Sequence, residues 1–221
     1  MFKKEILKYL VETSQSIGFK KTKYFFIKGI DYEITATLHF GLAIQTLQRH
    51  IFVNVTIGVS HKRVEELYAK LTGNKNSILK PTIGSQLGYL MPANDFKEWD
   101  FVEKQDNNDV LNDLLYCIKT YGFPYQEKMS DFNTLFKAFE KREPGILHIA
   151  RDRYLPILYY LKGEKQKGLK FIEEAIERQK RPFNEADILN FNAAEQLTIV
   201  GSGIGKVDPE YLKFVEEYKK L

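Results

Sequence analysis

Apolar and polar positions alternate with period two in the first part of this chain and with a helical period in the last. Ile51, Val53, Val55, Ile57 and Val59 alternate with Phe52, Asn54, Thr56 and Gly58. Such alternation puts the first set on one side of a β-strand and the second on the other, as in a half-buried antiparallel sheet. Over residues 30–40 the pattern recurs, with Ile30, Tyr32, Ile34, Ala36, Leu38 and Phe40 set against Asp31, Glu33, Thr35, Thr37 and His39. Residues 22–27 are rich in aromatics and form the strand before it, with a turn at Lys28-Gly29 or Gly29-Ile30. Short connections in this order predict a meander.

Helical spacing frames these strands. Phe2, Ile6, Leu7, Leu10, Val11 and Ile17 predict a helix over 3–17 that stops at Gly18. Ser60 is the expected cap of a second helix, over 61–71, which ends at Gly73. Residues 74–88 have no clean period and read as a long connection, and 87–91 and 97–102 read as short strands. From Asp106 onward the period is helical: Val110, Leu111, Leu114, Leu115, Ile118 and Tyr121 share a face until Gly122-Phe123-Pro124 breaks it. Ser130 is the expected cap of the next helix, with Phe132, Leu135, Phe136 and Phe139 inward. Pro156 fits the first turn of a helix capped by Asp152, where amide donors are not needed. A helix marked by Leu169, Ile172, Ala175 and Ile176 follows, then a weaker one over 184–196. Asp208-Pro209 opens the last, with Tyr211, Phe214, Val215 and Tyr218 inward. Strands first and helices later predict an α+β fold, an antiparallel meander with flanking helices. The expected organisation is a sheet domain over 1–144 with a helical extension, 145–221, packed on it or continuous with it.

Composition narrows the class. Hydrophobic residues make up 43% and charged residues 28% of 221, enough apolar content for a substantial core. Lys and Arg exceed Asp and Glu by four (33 against 29), well short of the concentrated basic charge of a nucleic-acid binder. A single cysteine, Cys117, excludes an internal disulfide framework and fits a reducing compartment. Glu5 and Glu12 interrupt the only apolar stretch near the start, so neither a signal peptide nor a membrane span is expected, and the reading is a cytoplasmic protein.

Candidate chemistry is sparse. Residues 201–206, Gly-Ser-Gly-Ile-Gly-Lys, suggest a phosphate cradle, but Val200 and Val207 stand where a P-loop needs Gly and Ser or Thr, and Lys206 stands where a dinucleotide loop needs its third glycine. His39, His50, His61 and His148 have no ligand spacing, so no metal and no cofactor is expected. His39 and His50 are expected to face each other across two strands. Glu98 and Asp100 flank Trp99 on one strand face and form the candidate carboxylate pair of a small hydrolase or nucleotide-processing enzyme; the plainer reading is the wet side of an edge strand. Lys20, Lys21, Lys23 and Lys28 interleave with Tyr24, Phe25 and Phe26, a weak nucleic-acid platform better read as core aromatics with solvated lysines. Leu155, Tyr159, Gly163, Gly168, Ile172 and Ala175 have the spacing of a single helical hairpin that could offer a groove.

Several segments occur together in order: Ile17-Gly18-Phe19-Lys20-Lys21 after the first helix; Ile44-Gln45 before the strand 51–59; Trp99 on a short strand; Tyr121-Gly122-Phe123-Pro124-Tyr125 before Ser130-Asp131; and Tyr159-Tyr160-Leu161-Lys162-Gly163. This order resembles a bacterial family of small α+β proteins classed only as a domain of unknown function, over most of residues 1–180. The resemblance implies a bacterial accessory protein and brings no catalytic residues. The resulting expectation is a non-catalytic protein-binding module, immunity- or chaperone-like by analogy of size and class. Its contact residues are taken from the mixed sheet face: Thr35, Thr37, His39, Phe52, Asn54 and Thr56. The expected partner is another protein, not a nucleic acid or a membrane, and no oligomeric state follows from the pattern.

Overall fold

The computed structural model of the protein describes residues 2–74, 80–143, 146, 148–180 and 206–221. Helix α1 (Phe2–Ser16) leads into strands β1 (Lys20–Lys21), β2 (Phe26–Gly29), β3 (Ile34–Gln45) and β4 (His50–His61). Helix α2 (Lys62–Thr72), strand β5 (Ile83–Gln86), helix α3 (Leu87–Leu90) and strand β6 (Trp99–Val102) follow. Then come α4 (Asn108–Cys117), a π-helical turn (Ile118–Gly122), α5 (Phe123–Ser130), α6 (Phe132–Lys141), α7 (His148–Leu161), α8 (Lys165–Lys180) and α9 (Pro209–Lys219). The fold is α+β, and every strand pairing is antiparallel. β1 to β5 are neighbours in chain order, and β6 joins the free half of β4. The chain divides into two compact units, Met1–Lys62 with Leu79–Leu135, and Arg63–Ile78 with Phe136–Leu221. The chain thus passes between units at three places and groups α2, beyond its first residue, with the later helices, whereas the pattern alone suggests one cut near Pro144.

The meander predicts well because two 12-residue strands pair without a bulge, from Ile34 opposite His61 to Gln45 opposite His50. Ile51, Val53, Val55, Ile57 and Val59 are all buried, together with Ala36, Leu38 and Phe40 on β3 and Trp99 and Phe101 on β6. Ile6 and Leu10 of α1 and Leu114, Cys117 and Ile118 of the later helices complete this core. Lys28 is exposed, as expected, but its Nζ also donates to the Ile17 carbonyl at 3.2 Å and sits over the rings of Phe19 and Phe123.

Several expected elements shift. Residues 22–25 form a turn, since Thr22 bonds Phe25 through both its backbone and its hydroxyl, and β2 begins only at Phe26. The Asp31 carboxylate accepts the amides of Glu33 and Ile34 at 2.7 Å each, a side-chain turn that takes Ile30 and Tyr32 out of the strand and leaves them exposed. The stretch read as a connection contains β5, which pairs with the last part of β4. Leu87–Leu90 is helical because Leu87 and Leu90, three apart, both turn to the core, and Met91 after it is extended. Ser60 is a strand residue opposite Thr35, and β4 runs on through His61 before α2 begins at Lys62. Asp131, not Ser130, caps α6, accepting the amide of Thr134 at 2.8 Å.

Pro124 does not end its helix either. The Phe123 amide bonds the Ile118 carbonyl, a π-type step that absorbs the discontinuity and lets α4 run into α5 with Pro124 in the first turn. Gly122 suits that step, since a Cβ there would lie 3.0 Å from the Ile57 side chain on the sheet and push it aside.

In the second unit, α7 begins at His148, so Pro156 lies in the helix interior and not in its first turn. Asp208 caps α9 by accepting the Glu210 amide at 2.9 Å, with Pro209 at the first position, and Tyr211, Phe214, Val215 and Tyr218 are buried as expected. The hairpin of α7 and α8 offers no open groove at Gly168: the Tyr218 hydroxyl of α9 lies where a Cβ would project. The expected helix over 184–196 and the glycine string up to Gly205 lie outside the described residues.

Candidate functional site

The sheet buries one face and leaves much of the other open. Register fixes which residues share the second face: Thr35, Thr37, His39, Gly41, Ala43 and Gln45 on β3 stand opposite Ser60, Gly58, Thr56, Asn54, Phe52 and His50 on β4. β5 adds Gln86 beside Thr56, and β6 adds Asp100 beside Phe52. Five of the six residues expected on this surface are accessible: His39 is exposed, and Thr35, Phe52, Asn54 and Thr56 are half-buried. Thr37 is the exception, only 3% exposed.

Thr37 is lost because the chain folds back over that end. Pro81 lies where a Cβ on Gly58 would project, 2.7 Å away, and the Thr37 hydroxyl is equally close. The Thr82 amide bonds the Val59 carbonyl at 2.8 Å, and the Thr82 hydroxyl accepts the His61 amide at 2.9 Å. Only glycine at position 58 permits this approach. The Gln126 amide group ties the same place, donating to the carbonyls of Thr37 at 3.0 Å and Gly58 at 3.2 Å. The open part of the face therefore runs from His39 and Thr56 toward Phe52, His50 and Asp100.

His39 and His50 do not face each other. His39 stands opposite Thr56 and packs on the Phe25 ring at 5.6 Å, while His50 stands opposite Gln45. His50 finds a different partner: its Nδ1 lies 2.8 and 2.9 Å from the two Asp100 oxygens, and its ring stacks on Phe52 at 5.9 Å. Asp100 thus holds the Nδ1 side of the imidazole. Glu98, which precedes β6, is exposed. The carboxylate expected to pair with Glu98 is a histidine partner instead. A sequence pattern cannot show this, because His50 and Asp100 meet diagonally across strands far apart in the chain.

A polar orphan lies beside Thr56. Among the described residues, Gln86 Oε1 and Glu33 Oε2 are the buried side-chain atoms with no hydrogen-bond partner. Gln86 shares the face and the row of Thr56 and His39. Asn54 lies over Gly41, where a Cβ would come within 2.5 Å of its Oδ1. The sequence gives no sign of Gln86, because it lies in a stretch without periodicity.

Two other polar clusters are built into packing. Asp113 accepts from Lys97 Nζ and Trp99 Nε1, each at 2.8 Å, and these bonds, the lysine's first, hold its carboxyl below the usual range. Burial, helped by the charge of Asp113, pushes the Cys117 thiol up, so it stays protonated and poorly nucleophilic. In the second unit, buried Asp152 accepts from Arg178 at 2.5 Å and Gln179 at 3.2 Å, and buried Glu65 accepts from Tyr154 at 3.3 Å. Among the described residues no group of three or more His, Cys, Asp or Glu is placed to hold a metal ion, and no helix is long and apolar enough to cross a membrane. No protein-family model, curated protein or solved structure matches this chain.

Proposed function

We propose that the protein is a non-catalytic binding module that receives another protein on the second face of its sheet. The observation that carries this reading is Gln86 Oε1, a buried acceptor without a partner, set in a row with half-buried Thr56 and exposed His39. Leaving such an acceptor unsatisfied costs about 1–3 kcal/mol, and a partner's backbone or side-chain donor removes that cost on binding. The row is polar, and Phe52, two rows further along the same face beyond Asn54, adds an aromatic anchor, the mixture found where protein surfaces meet. A bacterial accessory role, immunity- or chaperone-like, fits a module of this kind.

The test places a photo-crosslinking phenylalanine analogue at Phe52 and, as a control, at the exposed Tyr32. Each variant is produced in the source organism. A discrete partner captured from Phe52, lost when Asn54→Arg is added and not captured from Tyr32, supports the reading. Equal capture from both positions, or none from Phe52, removes it.

A second reading rests on His50 and Asp100. A carboxylate holding Nδ1 orients an imidazole as a general base, which suits a small hydrolase. The pair is nonetheless open to solvent, with side chains 30% and 42% exposed, whereas base catalysis is usually housed in a concave site. Hydrolysis of model esters or phosphoesters that disappears in His50→Ala but persists in Asn54→Arg favours this reading over the first.

A further inference from the structure

The sheet has a second unfinished feature, its edge. β2 pairs with β3 only from Gly29 opposite Thr35 to Phe26 opposite Leu38. β3 runs on to Gln45, so residues 39–45 have β4 on one side and no strand on the other among the described residues. The direction of the backbone groups follows from two bonds. The Ile34 carbonyl accepts the Ile30 amide on the β2 side, and the Glu33 carbonyl accepts the Lys62 amide on the β4 side. Backbone groups alternate sides along a strand, and the unbroken register carries that alternation to Gln45. The amides and carbonyls of Phe40, Leu42 and Ile44 therefore point outward, and among the described residues no backbone group bonds them there.

Natural edges are guarded by charge, proline, bulges or shortness. Residues 39–45 read His-Phe-Gly-Leu-Ala-Ile-Gln, with no Lys, Arg, Asp, Glu or Pro. Large apolar groups are exposed at the far end of the edge and in the turn after it: Ile44 at 45% and Leu47 at 100%.

We propose that this edge pairs with the same edge of a second copy of the chain, antiparallel, about a two-fold axis at Leu42. The register is set from both ends, because β2 blocks pairing before His39 and the turn at residues 46–49 ends it after Gln45. Within those limits the sequence is self-complementary. On the core side Phe40 meets Ile44 of the second copy and Leu42 meets its own copy. On the second face the small Gly41 and Ala43 meet each other, and His39 meets Gln45. Leu42 exchanges both backbone bonds with its copy, and Phe40 exchanges both with Ile44, so every outward group finds a partner. No charge meets a like charge across the axis. The axis stands perpendicular to the sheet, so both second faces lie on the same side of one continuous sheet.

Sedimentation velocity from about 1 μM to about 1 mM covers the range in which small interfaces assemble. The expected result is a monomer at the low end and a dimer at the high end. With rising concentration, amide exchange should slow at Phe40, Leu42 and Ile44 but not at Gly41 and Ala43, which already bond β4. Ile44→Pro removes an outward donor without touching the β3–β4 bonds, and Ile44→Lys places a charge opposite Phe40 of the second copy. Each should weaken dimerisation tenfold or more with unchanged circular dichroism. A chain that stays monomeric over the whole range overturns the proposal and leaves the edge to an extended segment of another protein. So does a dimer that forms equally in both variants, or one that leaves the three outward amides unprotected.

Discussion

The hydroxyl of Tyr211 takes the place of an amide that Pro156 lacks. In a regular helix the amide of residue 156 would donate to the carbonyl of residue 152. Proline has none, and the Asp152 carbonyl accepts the Tyr211 hydroxyl at 3.3 Å instead. One turn further on, the Pro156 carbonyl accepts the Tyr218 hydroxyl at 2.9 Å. An interior proline normally costs about 3 kcal/mol; here α9 supplies the lost donor, and the two tyrosines are held by buried acceptors.

Tyr211→Phe should therefore destabilise the second unit by about 1 kcal/mol, the net worth of one hydrogen bond. In a Pro156→Ala background the new amide can satisfy the Asp152 carbonyl, so the same change should cost less. A double-mutant cycle read by urea unfolding, with hydrogen exchange in α7 as the local probe, measures the difference. Equal costs in both backgrounds would show that the hydroxyl and the missing amide are unrelated.

His61 makes the first unit sensitive to mild acid. Its Nε2 donates to the Met129 carbonyl at 2.8 Å in a buried setting, and burial lowers its pKa below 6.5, against a smaller upward pull from that bond and from Asp31 and Asp131. With the folded pKa depressed, the unfolded chain binds more protons just below pH 6.5, so stability is full above that value and falls as the pH drops. His61→Gln keeps a donor toward Met129 and removes the titration. Urea midpoints followed by fluorescence of Trp99, the single tryptophan, should fall between pH 7 and pH 5 in the parent and change less in the variant. Parallel curves would assign the acid sensitivity to other groups.

Two glycines on the same strand pair predict opposite tolerances. At Gly58 a Cβ meets Pro81, the Thr37 hydroxyl and the Ile83 carbonyl within 2.9 Å, and backbone cannot step aside. Gly58→Ala should cost about 1–3 kcal/mol, as overpacking does, and should loosen β5. At Gly41 the three nearest atoms all belong to the Asn54 side chain, which can rotate, so Gly41→Ala should cost less than half as much. Thermal unfolding of the two variants side by side is the check, and a reversed order would mean that the segment around Pro81 yields more easily than Asn54.

The meander and its buried face are legible in the sequence because β3 and β4 keep period two over a long, bulge-free pairing. The last helix is legible because Asp208-Pro209 is a local signal, complete in adjacent residues. Periodicity misleads where a side chain or a local backbone step overrules it. Asp31 turns Ile30 and Tyr32 out of the strand, and a π-type step carries the chain past Pro124. The Tyr211 hydroxyl does the same for Pro156, from 55 residues further on. The candidate site divides in the same way. Alternation alone places His39, Phe52, Asn54 and Thr56 together, but the Pro81 cover over Thr37 and the pairing of His50 with Asp100 depend on contacts between distant segments.

Gln86 offers the sharpest separation of stability from binding. Its Oε1 is buried without a donor, so Gln86→Leu removes an uncompensated acceptor while keeping a side chain of similar reach. Relief of that penalty should raise stability by about 1 kcal/mol, seen as a higher urea midpoint in Trp99 fluorescence. If the second face receives a protein through this row, the same variant should capture less partner at Phe52. Stability and binding then move in opposite directions, as expected where a binding site is held at some cost to the fold. A variant that is less stable would mean that Gln86 is already satisfied in solution. One that is more stable but binds equally well would move the contact away from the Thr56–Gln86 row.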